Sequence, residues 1–189
     1  MAKRCAVAGG FSPLRAQAAP LRVPPCASSS MLLRLDLLPL QNRLRLRRAE
    51  GVQWVYDPIR RKHVVLTPEE LLRQLVLLHL LEVKRYPANR IRVEIGIEWN
   101  GLKKRCDVVV FDAELKPWLL VECKSPKVAL TQSAFEQAAR YNLQLQAPHL
   151  AITNGLATFC CRLDLAAKHF TYLPDFPDWP LSPPPCPGE

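Results

Sequence analysis

The chain has 189 residues, 49% of them apolar, and 26 Lys and Arg against 17 Asp and Glu give a formal charge of +9. That composition can build a sizeable core, so it excludes a wholly disordered chain, and the length suits one domain with extensions. The basic balance favours acidic partners such as nucleic acid, but it describes association and identifies no function by itself.

Residues 1–30 contain Lys3, Arg4, Arg15 and Arg22 and no acid. This fits an organellar transit peptide, and equally a disordered extension ahead of a start at Met31. "NRLRLRR" alternates Leu44 and Leu46 with Arg43, Arg45 and Arg47, the periodicity of a strand with one basic face. "VQWVY" and "HVVL" flank "DPIRRK" and predict a hairpin whose loop carries Arg60, Arg61 and Lys62. These cations are either a solvated turn or a contact for phosphates.

"TPEELLRQLVLLHLLEVKRYP" predicts a helix, with Thr67 as N-cap, Pro68 at the first helical position and Glu70 completing a capping box. Arg73 and His79 interrupt this richest apolar run, and no run in the chain is long enough to span a membrane. Two strand-like runs follow around Asn100-Gly101, the strongest short hairpin signal, and "WLLVECK" adds a third strand. A second helix, "TQSAFEQAARYNLQLQ", leads to strands "HLAITN" and "ATFCCRLD". The order predicts an α/β domain, in two or three layers, with a central mixed sheet: an antiparallel meander plus further strands, flanked by helices. Residues 31–170 form the expected domain, with its core at about 52–164, and 171–189 a Pro-rich tail unable to form a helix or central strand.

Seven Cys occur without a CxxC or any zinc-like Cys/His spacing. The odd count suits a reducing cytoplasm, with Cys106 and Cys123 as small buried hydrophobes.

If Asn100-Gly101 is a two-residue turn, Trp99 faces Leu102 and Glu94 faces Asp107. A next loop centred on Glu114-Leu115 sets Asp107 opposite Glu122. Glu94, Asp107 and Glu122 then form a row on one face, joined by Lys124, while Cys123 points away. Like charges facing each other destabilise a sheet, and a hard cation such as Mg²⁺ or Mn²⁺ reverses that sign. Such an ion holds a phosphate and acidifies water, and Lys124 can stabilise the charge that develops. The row therefore predicts a phosphodiester-cleaving site. Bland readings stand beside it: Asp107 and Lys124 as a structural ion pair, Glu122 at an exposed strand end, Glu70 as a helix cap rather than a metal ligand. Gln137 and Tyr141 lie four apart on one helical face, where Tyr141 can be core and Gln137 can reach Lys124 or a phosphate.

Asp107, then Glu122-Cys123-Lys124, then Gln137-xxx-Tyr141 resembles the PD-(D/E)xK nuclease superfamily. With "VLTPEELLRQ", "NGLKKRCDVVVFD", "FEQAARYN" and "ITNG", the chain is similar to the N-terminal domain of type I restriction enzyme R proteins, in a short stand-alone bacterial form. The resemblance covers about residues 52–164. It implies a restriction-endonuclease-like fold and a Mg²⁺- or Mn²⁺-dependent DNA endonuclease. It further implies metal binding by Asp107 and Glu122, with Glu94 and Glu70 as further candidates, and catalytic roles for Lys124, Gln137 and Tyr141. Arg60, Arg61, Lys62, Lys103, Lys104 and Arg105 are the candidate DNA contacts. Cys106 replaces the Pro that often precedes the Asp. The larger relatives carry an ATP-driven motor, but this sequence has no GxxxxGK[ST] loop and no evident sequence-reading module, so a separate motor or specificity protein is an expected partner. The alternative is an inactive nucleic-acid-binding module that keeps the nuclease fold. A bacterial setting also favours the disordered-extension reading of residues 1–30 and a cytoplasmic location.

Overall fold

The computed structural model describes residues 33–99, 102–164 and 169–180. The N-terminal extension, the Asn100-Gly101 turn and the end of the Pro-rich tail lie outside these residues. Among the described residues a three-stranded antiparallel sheet is built from β1 (Leu46–Ala49), β2 (Val52–Asp57) and β3 (Lys62–Val65). The chain then enters α1 (Pro68–Leu78), followed by β4 (Ile91–Trp99), β5 (Leu102–Phe111) and β6 (Pro117–Cys123). After α2 (Gln132–Leu145) come β7 (His149–Thr153), β8 (Thr158–Asp164) and β9 (His169–Tyr172). The last six strands form one mixed sheet in sequence order.

Only β6 and β7 run parallel, because α2 carries the chain back between them. One face of the sheet packs Val108, Val110, Leu119 and Val121 against Leu72, Leu75 and Val76 of α1. The other packs Val109, Leu120, Leu150 and Ile152 against Phe135, Ala138 and Tyr141 of α2. The domain is therefore three-layered, and its central strands are apolar on both sides, as strands covered by helices on both faces must be.

The first basic strand is shorter than its periodicity suggests. Pro39 opens a 3₁₀ turn through Arg43, so β1 starts at Leu46, whose side chain is exposed. The alternation of Leu and Arg there builds no buried face on β1; the buried side chains of this small sheet are Val55 and Asp57 on β2. At the other end, the expected tail does contribute to packing. Residues 173–180 form neither helix nor strand, yet Phe176 is 2% exposed within the α1-side core. The Trp179 indole N–H donates to the Phe111 carbonyl at 3.0 Å, and the Tyr86 hydroxyl donates to that of Pro177. Beneath them α1 widens into a π-helical turn over His79–Val83, where the Lys84 N–H reaches back to the His79 carbonyl at 3.0 Å.

Register decides where the acids fall. Val93 pairs with Val108 and Ile95 with Cys106, so the β4–β5 alignment is the one the two-residue turn requires. Val108 pairs with Val121 and Val110 with Leu119, the alignment expected for β5–β6. Between these pairs the ladder is interrupted at Glu94 and Asp107, and Glu94 adopts a left-handed φ of 51°. The flat row of three opposed acids is thus replaced by a place where strands part.

Candidate active site

Asp107 marks that parting. Its Oδ2 accepts the backbone N–H of Cys123 at 2.7 Å, and the β5–β6 pairs end at Val108 and Val121. One strand further on, the Lys124 N–H donates to the Thr153 carbonyl at 2.8 Å, which ties the Glu122–Lys124 stretch to β7. The Asp107 carboxylate is therefore tied to backbone through one oxygen and to the Arg73 guanidinium through the other. Leu119, Val121 and Cys123 belong to the α1-side core, so strand alternation sends Glu122 the opposite way, with Leu120.

Lys124 Nζ donates to Glu122 Oε1 at 2.7 Å. Burial of the ammonium works against its charge, but the hydrogen bond and charge of Glu122, with Asp107 and Glu69 nearby, outweigh it and raise the Lys124 pKa. Lys124 is accordingly a fixed cation at neutral pH and not a general base. Glu122 is shifted up as well, first by burial and then by the negative charge of Asp107, against the pull of Lys124. Its Oε2 is buried without a hydrogen-bond partner.

The remaining acids are held by two arginines. Arg60 binds Asp57 Oδ2 through Nε at 2.6 Å, Glu70 Oε1 through Nη2 at 2.7 Å and Glu94 Oε2 through Nη1 at 2.5 Å. Arg73 binds Glu70 Oε2 at 2.5 Å and Asp107 Oδ1 at 2.7 Å, with Glu94 Oε1 at 3.6 Å and Glu69 at 3.7 Å. Gln74 donates to Asp57 and Glu70 at 2.9 and 2.8 Å. Five carboxylates (Asp57, Glu69, Glu70, Glu94 and Asp107) thus meet two guanidiniums, which leaves a formal excess of three negative charges.

The sequence-derived candidates divide accordingly. Asp107, Glu122 and Lys124 come together, and Glu70 and Glu94 join Asp107 through Arg73. The Thr67 hydroxyl accepts the Glu70 N–H as predicted, but the Glu70 carboxylate turns to the arginines instead of closing a capping box. Arg60 departs from the expectation of a solvent-facing loop: its side chain is only 17% exposed, because Asp57 is fully buried and requires a counter-charge. Arg61, Lys62 and Arg105 are accessible, and the Lys103 and Lys104 side chains lie outside the described residues. Gln137 donates to the Tyr141 hydroxyl at 3.0 Å, with Tyr141 buried in the α2-side core. The described cysteines are buried, and burial pushes the Cys106 and Cys160 thiols up to about 12, which makes them packing groups rather than nucleophiles.

Sequence reading overlooked Asp57, Arg73 and Gln74 as site residues. Their signal was present: "RQ" in the middle of "LLRQLVLL" places two polar groups in a stripe that buries its neighbours. Asp57 accepts the N–H groups of Ile59 and Arg60, each at 2.7 Å, as the start of a tight turn.

The sequence model of the type I restriction enzyme R protein N terminus matches residues 68–177. The chain belongs to that family. The match opens at the first residue of α1 and closes one residue after Phe176, so the restriction-enzyme N-terminal domain takes in Glu70, Arg73, Glu94 and all of the Asp107–Tyr141 constellation. The β1–β3 sheet, with Asp57 and Arg60, precedes the matched domain. Comparison with curated proteins gave no match. Among the described residues no helix is long and apolar enough to cross a membrane.

Of the Asp107 and Glu122 oxygens, Glu122 Oε2 alone is buried without a partner and suits a hard divalent cation, whereas Asp107 would have to release Arg73 from Oδ1 to share one. Glu70 and Glu94 do not suit it in this arrangement, since their oxygens face Arg60 and Arg73. No set of three or more His, Cys, Asp or Glu is arranged to hold a metal among the described residues.

The raised Glu122 carboxyl gives a testable sign. A carboxyl whose folded pKa lies above its unfolded value lowers stability once it is ionised. Glu122→Gln is therefore expected to raise the melting temperature of the metal-free protein at neutral pH. The gap should shrink as pH falls through the raised folded pKa and close below the ordinary carboxyl value of 4.5, where wild type is protonated in both states. Thermal melts of both proteins across that range check it, and identical melting temperatures at neutral pH would refute it.

Proposed function

We propose that this restriction-enzyme N-terminal domain is a Mg²⁺- or Mn²⁺-dependent DNA endonuclease acting on phosphodiester bonds in the cytoplasm. The observation that carries the reading is the convergence of Asp107, Glu122 and a protonated Lys124 where the strands part. Asp107 and Glu122 would hold the ion, and the uncompensated negative charge nearby favours its approach. When bound, the ion supplies positive charge against the phosphate and makes nearby water more acidic. Lys124 faces the charge that grows on the phosphate oxygens, where a fixed ammonium contributes more in the transition state than in the ground state. Tyr141 orients Gln137 through their hydrogen bond, leaving the Gln137 carbonyl to position a water or substrate group. DNA is the proposed partner, with a separate motor or specificity protein as a second.

A second reading, an inactive DNA-binding module, is favoured by one observation: Arg73 already holds Asp107 Oδ1. Isothermal calorimetry with Mn²⁺ separates the two. Wild type is expected to bind the ion, and Asp107→Asn and Glu122→Gln each to lose binding at least about tenfold, from removing one anionic ligand. Both variants should keep the circular dichroism of wild type. Unchanged Mn²⁺ affinity in both variants would overturn the site.

A further inference from the structure

The β1–β3 sheet precedes the region matched by the family, and its two faces differ in kind. Val55 and Asp57 on β2 are fully buried, and Asp57 reaches Gln74 of α1. Strand alternation sends Trp54 and Tyr56 to the other face. Arg45 stands beside Tyr56, whose N–H donates to the Arg45 carbonyl at 2.9 Å, and His63 pairs with Tyr56 from β3. One step along, Arg47 pairs with Trp54, and Trp54 with Val65.

Side-chain contacts show that these groups share the face. The Arg45 guanidinium lies over the Tyr56 ring, 5.5 Å from its centre, and the rings of Tyr56 and His63 meet edge-on at 5.4 Å. Arg45, Arg47, His63 and Val65 are exposed, and Trp54 and Tyr56 are half-buried. No acid holds a strand position on this side of the sheet. A solvated edge accounts for the arginines but leaves the aromatic row between them without a purpose. Rings for flat bases and guanidiniums for phosphates are together what a nucleic-acid strand requires. A face with two cations and no acid, on a chain of charge +9, complements a polyanion.

We propose that this face is a stacking platform for unpaired nucleotides, and the proposal rests on DNA being the partner of the neighbouring acids. Trp54 and Tyr56 are two residues apart on β2, about 7 Å along the strand. That is twice the spacing of about 3.4 Å between nucleotides of one duplex strand, so an unstacked strand sets one base on each ring. Arg45 and Arg47 repeat the same spacing on β1 and meet the phosphates. Every base has a flat face to stack, so the platform discriminates little between sequences. In a duplex the bases already stack on one another, so the platform selects single-stranded ends and gaps.

Fluorescence anisotropy with the full chain in EDTA, where no cleavage intervenes, tests this. A labelled oligo(dT) of about twelve nucleotides, within the span of single-strand-binding folds, should bind at least about tenfold tighter than an abasic strand of equal length. Trp54→Val should lose about tenfold on oligo(dT), the share of one stacked base, and nothing on the abasic strand. Arg45→Thr/Arg47→Thr should weaken both strands and lower the salt slope by about 1.4, at about 0.7 for each phosphate contact. Valine and threonine suit strands, and the arginines are exposed, so the double variant locates the site even where Trp54→Val does not fold. Equal wild-type affinity for oligo(dT) and the abasic strand overturns the proposal, because phosphate contact alone would then explain binding. Unchanged oligo(dT) affinity in a folded variant also overturns it, and is the result expected if the face docks a protein instead. Failure of wild type to cleave any DNA with Mg²⁺ would count against the nuclease reading and leave this binding result standing.

Discussion

Lys124→Ala is expected to lower DNA cleavage at least about a hundredfold, the typical effect of deleting one group that meets developing charge in the transition state. Affinity for DNA and for Mn²⁺ should change little, because the ammonium acts after both have bound. The protonated state of Lys124, secured by Glu122 and Asp107, gives the prediction a second edge. The pH profile of the wild-type enzyme should show no limb caused by lysine deprotonation near neutrality. Cleavage of plasmid, single-stranded and branched DNA by parallel preparations of both proteins measures the effect. Equal rates would place the activity elsewhere, contamination included.

Arg73→Met should cost stability on the scale of about 3–5 kcal/mol, the usual consequence of removing one partner from a buried ionic network. Arg73 neutralises Glu70 and Asp107 at hydrogen-bond distance, and both acids are buried. Without the guanidinium these carboxylates face each other and Glu94, with Arg60 as the remaining cation. Urea unfolding at neutral pH should show the loss as a lower midpoint. Adding Glu70→Gln to Arg73→Met should recover part of the loss. A single variant within 1 kcal/mol of wild type, on the scale of an exposed ion pair, would show that the network contributes little.

The parts of the fold that were legible are those set by local chemistry. Thr67-Pro68 starts α1, and the two-residue Asn-Gly spacing together with the loop around Glu114-Leu115 fixes the alignment of β4, β5 and β6. The parting at Asp107 was not legible, because strand periodicity assumes an unbroken ladder and cannot show a side chain replacing a backbone acceptor. Arg60 and Arg73 were hidden for a related reason. Each has one acid three residues away, Asp57 or Glu70, but the pairs that tie them to the strands reach 34 residues, to Glu94 and Asp107, and no window of local sequence contains both halves of those. The Pro-rich composition of the last segment argues against a helix or central strand, and residues 173–180 form neither, but composition says nothing about whether Phe176 finds a pocket.

That pocket bears on the order in which the molecule is made. Phe176 meets His79 edge-on at 5.6 Å between ring centres, and the hydroxyl of Tyr86 meets the carbonyl of Pro177, in each case across more than ninety positions of chain. Contacts of such separation carry a loop-closure cost that local turns do not, and they form late. On the ribosome, α1 and the β4–β6 meander emerge while the underside of the π-helical turn still lacks its cover, and the α1-side core closes only after residue 176 has left the exit tunnel. Until then Leu80 and its neighbours lack that cover, and incompletely packed apolar surface of this kind favours aggregation.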